Sequence, residues 1–129
     1  MCEPGRALVA SGCTLMAQIQ LRKDNKLYIN DGVYQSLSET LMGKMKLPAR
    51  LINPARTPAS ECQDYVILGP TCDNLDILPA PFHLPVDAEE GDWIEIGQTG
   101  AYSNSAATRF NGFFPETFVS VEAPPLLPE

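Results

Sequence analysis

Leu15-Met-Ala-Gln-Ile-Gln-Leu-Arg-Lys-Asp-Asn-Lys-Leu-Tyr-Ile29 decides the architecture of this 129-residue chain. Leu15, Ala17, Ile19 and Leu21 alternate with Met16, Gln18, Gln20 and Arg22, the period of a strand with one wetter face. Lys23-Asp-Asn-Lys26 is a tight polar turn, and Leu27-Tyr-Ile29 predicts a partner strand. The stretch reads as a β-hairpin. Working outward, short strands are predicted at 50–52, 64–68, 93–96 and 117–121, and residues 1–6 read as the end of another turning through Pro4-Gly5. A helix is predicted over Val33–Met42, where apolar residues 33, 34, 37, 41 and 42 share one face and Gly43 closes it. Briefer helical turns are expected at 7–11 and near 101–106. Residues 53–61 and the proline-bearing 77–91 read as loop, and 123–129 as a tail. Many short strands between Gly/Pro turns mean a mainly β barrel or sandwich with short helices.

Composition narrows the function classes. No apolar run approaches the ~20 residues of a membrane-spanning helix, and Met-Cys-Glu-Pro-Gly-Arg lacks the basic and apolar blocks of a secretory signal. The four cysteines (2, 13, 62 and 72) form no Cys-x-x-Cys pair, and the single His83 does not complete a zinc set with them. Free thiols in a reducing cytoplasm and no structural metal are therefore expected. Residues 1–60 carry eight Lys/Arg against four Asp/Glu, whereas residues 61–129 carry Arg109 alone against twelve acids. So acidic a half argues against a nucleic-acid partner, since phosphate contacts demand Lys and Arg. It suits a cationic ligand, or simply a solvated surface.

The chemistry-bearing candidates are short. Gly69-Pro-Thr-Cys-Asp-Asn-Leu-Asp76 sets a thiol beside a carboxylate in a loop at a strand's carboxyl end, with a second carboxylate three residues on. Cys72 and Asp73 read either as site residues on a scaffolded loop or as a small hydrophobe and a turn residue. Glu3-Pro-Gly-Arg6 can approach and grip a phosphate, or form a surface ion pair around a turn. Gly100-Ala-Tyr102 places a phenol behind two residues small enough for a ligand phosphate to come close. It also reads as a loop tyrosine packed on a neighbour. Asp31-Gly-Val-Tyr34, Gly91-Asp-Trp93 and Phe110-Asn-Gly112 each read alone as a turn with an aromatic anchor.

In this order along the chain, the six motifs resemble the C-terminal part of the fold-type III pyridoxal-phosphate decarboxylases, the ornithine/diaminopimelate/arginine decarboxylase family, nearest its ornithine-specific branch. The resemblance spans essentially the whole chain. It implies a C-terminal β-domain over 13–129, preceded at 1–12 by the last strand and turn of an α/β cofactor barrel. The barrel lysine that bonds the cofactor matches none of Lys23, Lys26, Lys44 or Lys46, so Met1 is expected to be internal to a longer protein. By similarity, Glu3 would pair with the pyridine nitrogen of pyridoxal 5′-phosphate, while Arg6 and Tyr102 hold its phosphate. Cys72 would return a proton to the carbon that loses CO2. Asp73 would bind the distal amine of a basic amino-acid substrate, with Phe110 beside its side chain. The resemblance further implies a homodimer, Tyr34 and the Cys72–Asp73 loop being lent to the partner's site.

One departure bears on substrate. Ornithine-specific members carry a further aspartate and a histidine downstream of Asp-Gly-Val-Tyr. This chain has Gly43 near the aspartate's place, with Glu39 the only acid nearby. Lysine or another diamino acid is therefore an open alternative, as is a non-catalytic regulatory relative. Cys72-Asp73 behind Gly-Pro-Thr favours the ornithine side over diaminopimelate enzymes, which read Cys-Glu-Ser there.

Overall fold

The computed structural model describes residues 1–128. Six strands order as β3-β6-β1-β2-β4-β5. They are β1 (Leu15–Lys23), β2 (Lys26–Ile29), β3 (Ala49–Ile52), β4 (Cys62–Leu68), β5 (Phe82–Pro85) and β6 (Trp93–Ile96). All pairings are antiparallel except β2 with β4. The terminal strands β3 and β5 come into contact, so the sheet curls into a nearly closed barrel. Closure hides the edges that a flat sheet would offer.

The opening hairpin forms as its alternation predicts. Ala17, Ile19, Leu27 and Ile29 are buried, while Met16 and Gln20 face water. Lys23 pairs with Lys26 across a turn in which Asp24 takes φ 53°, a left-handed conformation that Asp adopts more readily than most residues. A register shift between Ile19 and Leu21 lets one strand serve two neighbours. Before it β1 pairs with β6, and beyond it with β2. Tyr65 and Ile67 of β4, Leu84 of β5, and Ile94 and Ile96 of β6 complete the interior. Tyr65 is fully buried because its hydroxyl donates to the carbonyls of Pro85 and Val86, sparing the cost of an unpaired phenol.

Four expectations change. Residues 1–4 form no strand; helix α1 (Gly5–Val9) starts at the turn and runs into a tight helical turn at Ala10–Gly12. The helix over 33–42 shrinks to α2 (Ser38–Met42). The Asp31 carboxylate takes the Gly32 and Ser36 N–H groups, and Leu37 N–H bonds Gly32 O, so the preceding residues turn instead. The supposedly irregular 77–91 contains β5, tolerated next to Pro81 and at Pro85 because β5 ends the sheet order and its missing donors are not called on. Finally, 117–121 forms no strand among the described residues, and Phe118, Val119 and Val121 lie exposed.

The loops are tied down by charge. Arg56 reaches Asp87 and Asp92 at 2.5 Å each and Glu89 at 3.3 Å, pinning the 53–61 loop to 86–92. The tail docks as well. Leu126 O accepts from Gln98 Nε2 at 3.1 Å and sits where a Cβ on Gly97 would come within 2.4 Å of it.

Candidate active site

The Gly69–Asp76 loop is built around its last residue. Asp76, 2% exposed, accepts the Val33 N–H at 2.9 Å on Oδ1. On Oδ2 it accepts the Thr71 N–H at 3.1 Å and the Thr71 hydroxyl at 2.6 Å. Its backbone closes the loop through Gly69 N–H to Asp76 O (2.8 Å) and Asp76 N–H to Asp73 O (3.0 Å). Both flanking glycines are required by contact with this carboxylate. A Cβ on Gly32 or on Gly69 would lie 2.2 Å from Asp76 Oδ1.

This wrapping presents the predicted pair at the surface. Cys72 is exposed and takes φ 55°, left-handed for a residue with a Cβ, a conformation that persists only where neighbours over-determine it. Asp73 is half-buried, and its Oδ1 accepts the Leu75 N–H at 2.8 Å. Tyr34 stands beside it. Its phenol is raised above its ordinary pKa, first by partial burial and then by the Asp73 charge. The Tyr34 and Phe110 rings pack with centroids 4.5 Å apart. Thr108 donates its N–H and hydroxyl to Tyr34 O, and Asn111 Nδ2 donates to Thr71 O at 2.9 Å. Thus Cys72, Asp73, Tyr34 and Phe110 share one neighbourhood.

The other three predicted residues form a second group. Arg6 is gripped by Glu39, with Nη1 to Oε2 at 2.6 Å and Nη2 to Oε1 at 2.7 Å. The Nη2 contact is a hydrogen bond, and it raises the guanidinium pKa further above its ordinary value. The expected surface partner, Glu3, is not the one used. Tyr102 lies with its ring 5.4 Å below the Arg6 guanidinium carbon. The small residues before Tyr102 also serve a purpose different from that expected. A Cβ on Gly100 would sit 2.0 Å from Val9 O, so Gly100 admits the chain's own backbone rather than a ligand. Glu3 and Arg6 line a cleft of about 610 Å³ together with Gly5, Lys46 and Gln98. Among the described residues, no hydrogen bond, ion pair or ring contact joins the two groups.

A phosphate-bearing cofactor finds suitable chemistry at the second group. Arg6 and Tyr102 offer a guanidinium and a phenol, and a Cβ on Gly5 would meet open space in the cleft. Arg6 Nη1, buried with no hydrogen-bond partner among the described residues, leaves one arm of the fork for a phosphate while Nη2 stays on Glu39. Sequence reading noticed Glu39 and Asp76 without finding their partners. Asn111 and Asp31 stood inside motifs read there as turns, without their bonding roles; the Asp31 carboxyl is pushed up to about 6 by burial, opposed by hydrogen bonds from Ser36 and Gly32.

Comparison with known proteins bears on this arrangement. Residues 8–100 match the family model described as the pyridoxal-dependent decarboxylase C-terminal sheet domain. The chain belongs to this family. It is 38% identical over 126 residues to the ornithine decarboxylase of Schizosaccharomyces pombe, covering 86% of this chain and 28% of that one. It is 31% identical to antizyme inhibitor 2 of Xenopus laevis, covering 86% and 27%. Among solved structures, the arginine decarboxylase of Paramecium bursaria Chlorella virus, bound to agmatine, superposes with a TM-score of 0.73 at 28% identity, over 85% of this chain and 30% of that one. This decarboxylase sheet domain therefore spans less than a third of the length of the relatives it matches. Among the described residues no helix is long and apolar enough to cross a membrane.

Proposed function

We propose that this chain supplies the β-domain face of the active site of a pyridoxal 5′-phosphate-dependent basic amino-acid decarboxylase that converts ornithine to putrescine and CO2, in polyamine synthesis. The observation that carries this reading is the gathering of Cys72, Asp73, Tyr34 and Phe110 around one loop whose conformation Asp76 holds. In this reading Asp73 binds the substrate's distal ammonium group, and the stacked Tyr34 and Phe110 rings wall its methylene chain. Cys72 returns a proton to the substrate carbon. Arg6 and Tyr102 hold the cofactor phosphate, and Glu3 faces the pyridine nitrogen. The bound cofactor supplies the electron sink that lets CO2 leave.

The lysine that bonds the cofactor would come from an α/β barrel, with residues 1–12 on the barrel side of the boundary and 13–129 on the β side. Separation of the two residue groups supports a site completed by a second copy in a homodimer; the same reading puts that homodimer in the cytoplasm, with no nucleic-acid or membrane partner. The test is to fuse the chain behind the barrel portion of the Schizosaccharomyces pombe enzyme and to assay with cofactor and ornithine. The fusion is expected to release CO2 with putrescine, and the chain alone to release none. Steady release by the chain alone would refute the shared site. A fusion that binds cofactor and releases nothing would refute the decarboxylase reading. Profiling the fusion with lysine distinguishes another diamino-acid substrate.

A second reading has its own observation. Glu39 occupies the Arg6 fork and Gly43 replaces an acid, which suits a non-catalytic regulatory relative such as the antizyme inhibitors. A fusion without the visible absorbance of bound cofactor would favour it.

A further inference from the structure

We propose that Asp76 is the positioning residue that sets Tyr34 against the Cys72–Asp73 loop. The proposal rests on the functional reading only for what Tyr34, Cys72 and Asp73 do. Their placement is argued from geometry. Tyr34 and Asp73 lie 39 positions apart, on the connections that leave the paired strands β2 and β4 beyond the Tyr28–Leu68 pair, where that ladder ends. One buried carboxylate bridges the two connections directly. Its Oδ1 takes the N–H of Val33, the residue before Tyr34, and its Oδ2 takes both donors of Thr71, the residue before Cys72. Each functional residue is thus one peptide away from a group bonded to the same buried side chain.

The two backbones are shaped to admit it. Gly32 and Gly69 each leave a space that a Cβ would close to 2.2 Å from Oδ1. A glutamate, longer by one methylene, overfills that space. An asparagine fits but turns its NH2 toward either the Val33 N–H or the Thr71 donors, so at least one of these groups loses its acceptor. Thr71 also feels a second tie, from Asn111 Nδ2 to its carbonyl. That tie holds the turn carrying Phe110 to the same loop, so the ring that packs on Tyr34 moves with the loop. The left-handed φ of Cys72 lies between the two clamped residues Thr71 and Asp73. Release at Asp76 therefore frees Cys72 to relax and Asp73 to leave Tyr34.

The test reads the coupling between Tyr34 and Asp73 in the purified chain, by following the Tyr34 ring signals in NMR as pH is raised. The charge of Asp73 raises the Tyr34 phenol pKa, so Asp73→Asn is expected to lower its midpoint. With Asp76→Asn already in place, the same Asp73→Asn change is expected to shift the midpoint by less than about half as much, because a charge's influence falls with distance and with access of water. A role confined to general stability would leave that shift unchanged in any sample that stays folded. An equal shift in both backgrounds overturns the proposal, as does no shift in the otherwise native chain. Should Asp76→Asn not fold, Thr71→Val removes one of the three donors without changing side-chain volume, and the same comparison is made in that background with a smaller loss expected. None of these readings needs activity, so they stand or fall apart from the fusion assay.

Discussion

The Cys72 loop and the Arg6 group are both surface features with catalytic residue types, yet they are held very differently. Around Cys72, a buried carboxylate, two glycines and Asn111 converge from three connections. Around Arg6, a short exposed helix meets one ion pair and one aromatic ring. The first is completed by the chain itself. The second leaves an open cleft and an arginine whose strong partner among the described residues is Glu39. The contrast teaches that residues of one proposed site can differ in how far this domain alone pre-organises them.

The largest expected effect attacks the first region. Gly69→Ala drives a Cβ into the Asp76 carboxylate, and about 4 kcal/mol of stability should be lost in urea unfolding, because overpacking and broken buried hydrogen bonds act together. A loss under about 1 kcal/mol would mean that the clamp is soft.

Next comes pH. Asp31 lies beside this clamp, and its carboxyl is raised to about 6 in the fold, against ~3.9 in an unfolded chain. Its contribution to stability is full below the lower value and is lost as pH rises through the upper one. Relative to Asp31→Asn, the native chain should therefore lose roughly 3 kcal/mol at most between pH 3.5 and 7. Chemical unfolding of both proteins across that window measures it, and a constant gap would sink the assignment.

Arg6→Ala should cost far less, about 1 kcal/mol or under, since partly exposed ion pairs contribute little and are screened by salt. Thermal unfolding at low and high salt tests this. A cost comparable to that of Gly69→Ala would erase the contrast. Smallest of all is Phe118→Ser in the unpaired 117–121 segment. A side chain 63% exposed should change stability by no more than about 0.5 kcal/mol; a larger loss would show that the segment is buried in solution.

Much was legible in advance because it depends on neighbours in sequence. Alternation in Leu15–Leu21 reports which face is wet, since a strand's two faces follow from its own period, whereas in 93–96 Glu95 is buried beside Ile94 and Ile96. The segment 117–121 shows where that reasoning stops. Thr117-Phe-Val-Ser-Val121 has the β-prone residues of a strand, but a strand needs an edge to pair with, and the barrel closes with β3 against β5. Strand β5 failed in the opposite direction, its prolines masking an alternation that the end of the sheet order tolerates. The helix over 33–42 was lost to the Asp31 side chain, which competes for the same backbone donors. Local signals of this kind do not reveal which competitor wins.

The order of six short motifs was enough to point to the family, and Cys72-Asp73 to the residue types of its chemistry, since spacing along a chain is a property of the chain. Which residue meets which was decided by tertiary structure. Arg6 chose Glu39 over the nearer Glu3, and Gly100 proved to make room for backbone. Asp76, at first merely a second acid after Cys72, became the bridge between two distant turns. Hydrogen bonds reach only about 3 Å, so they form between groups that folding brings together, and a sequence records those groups without recording the distances between them.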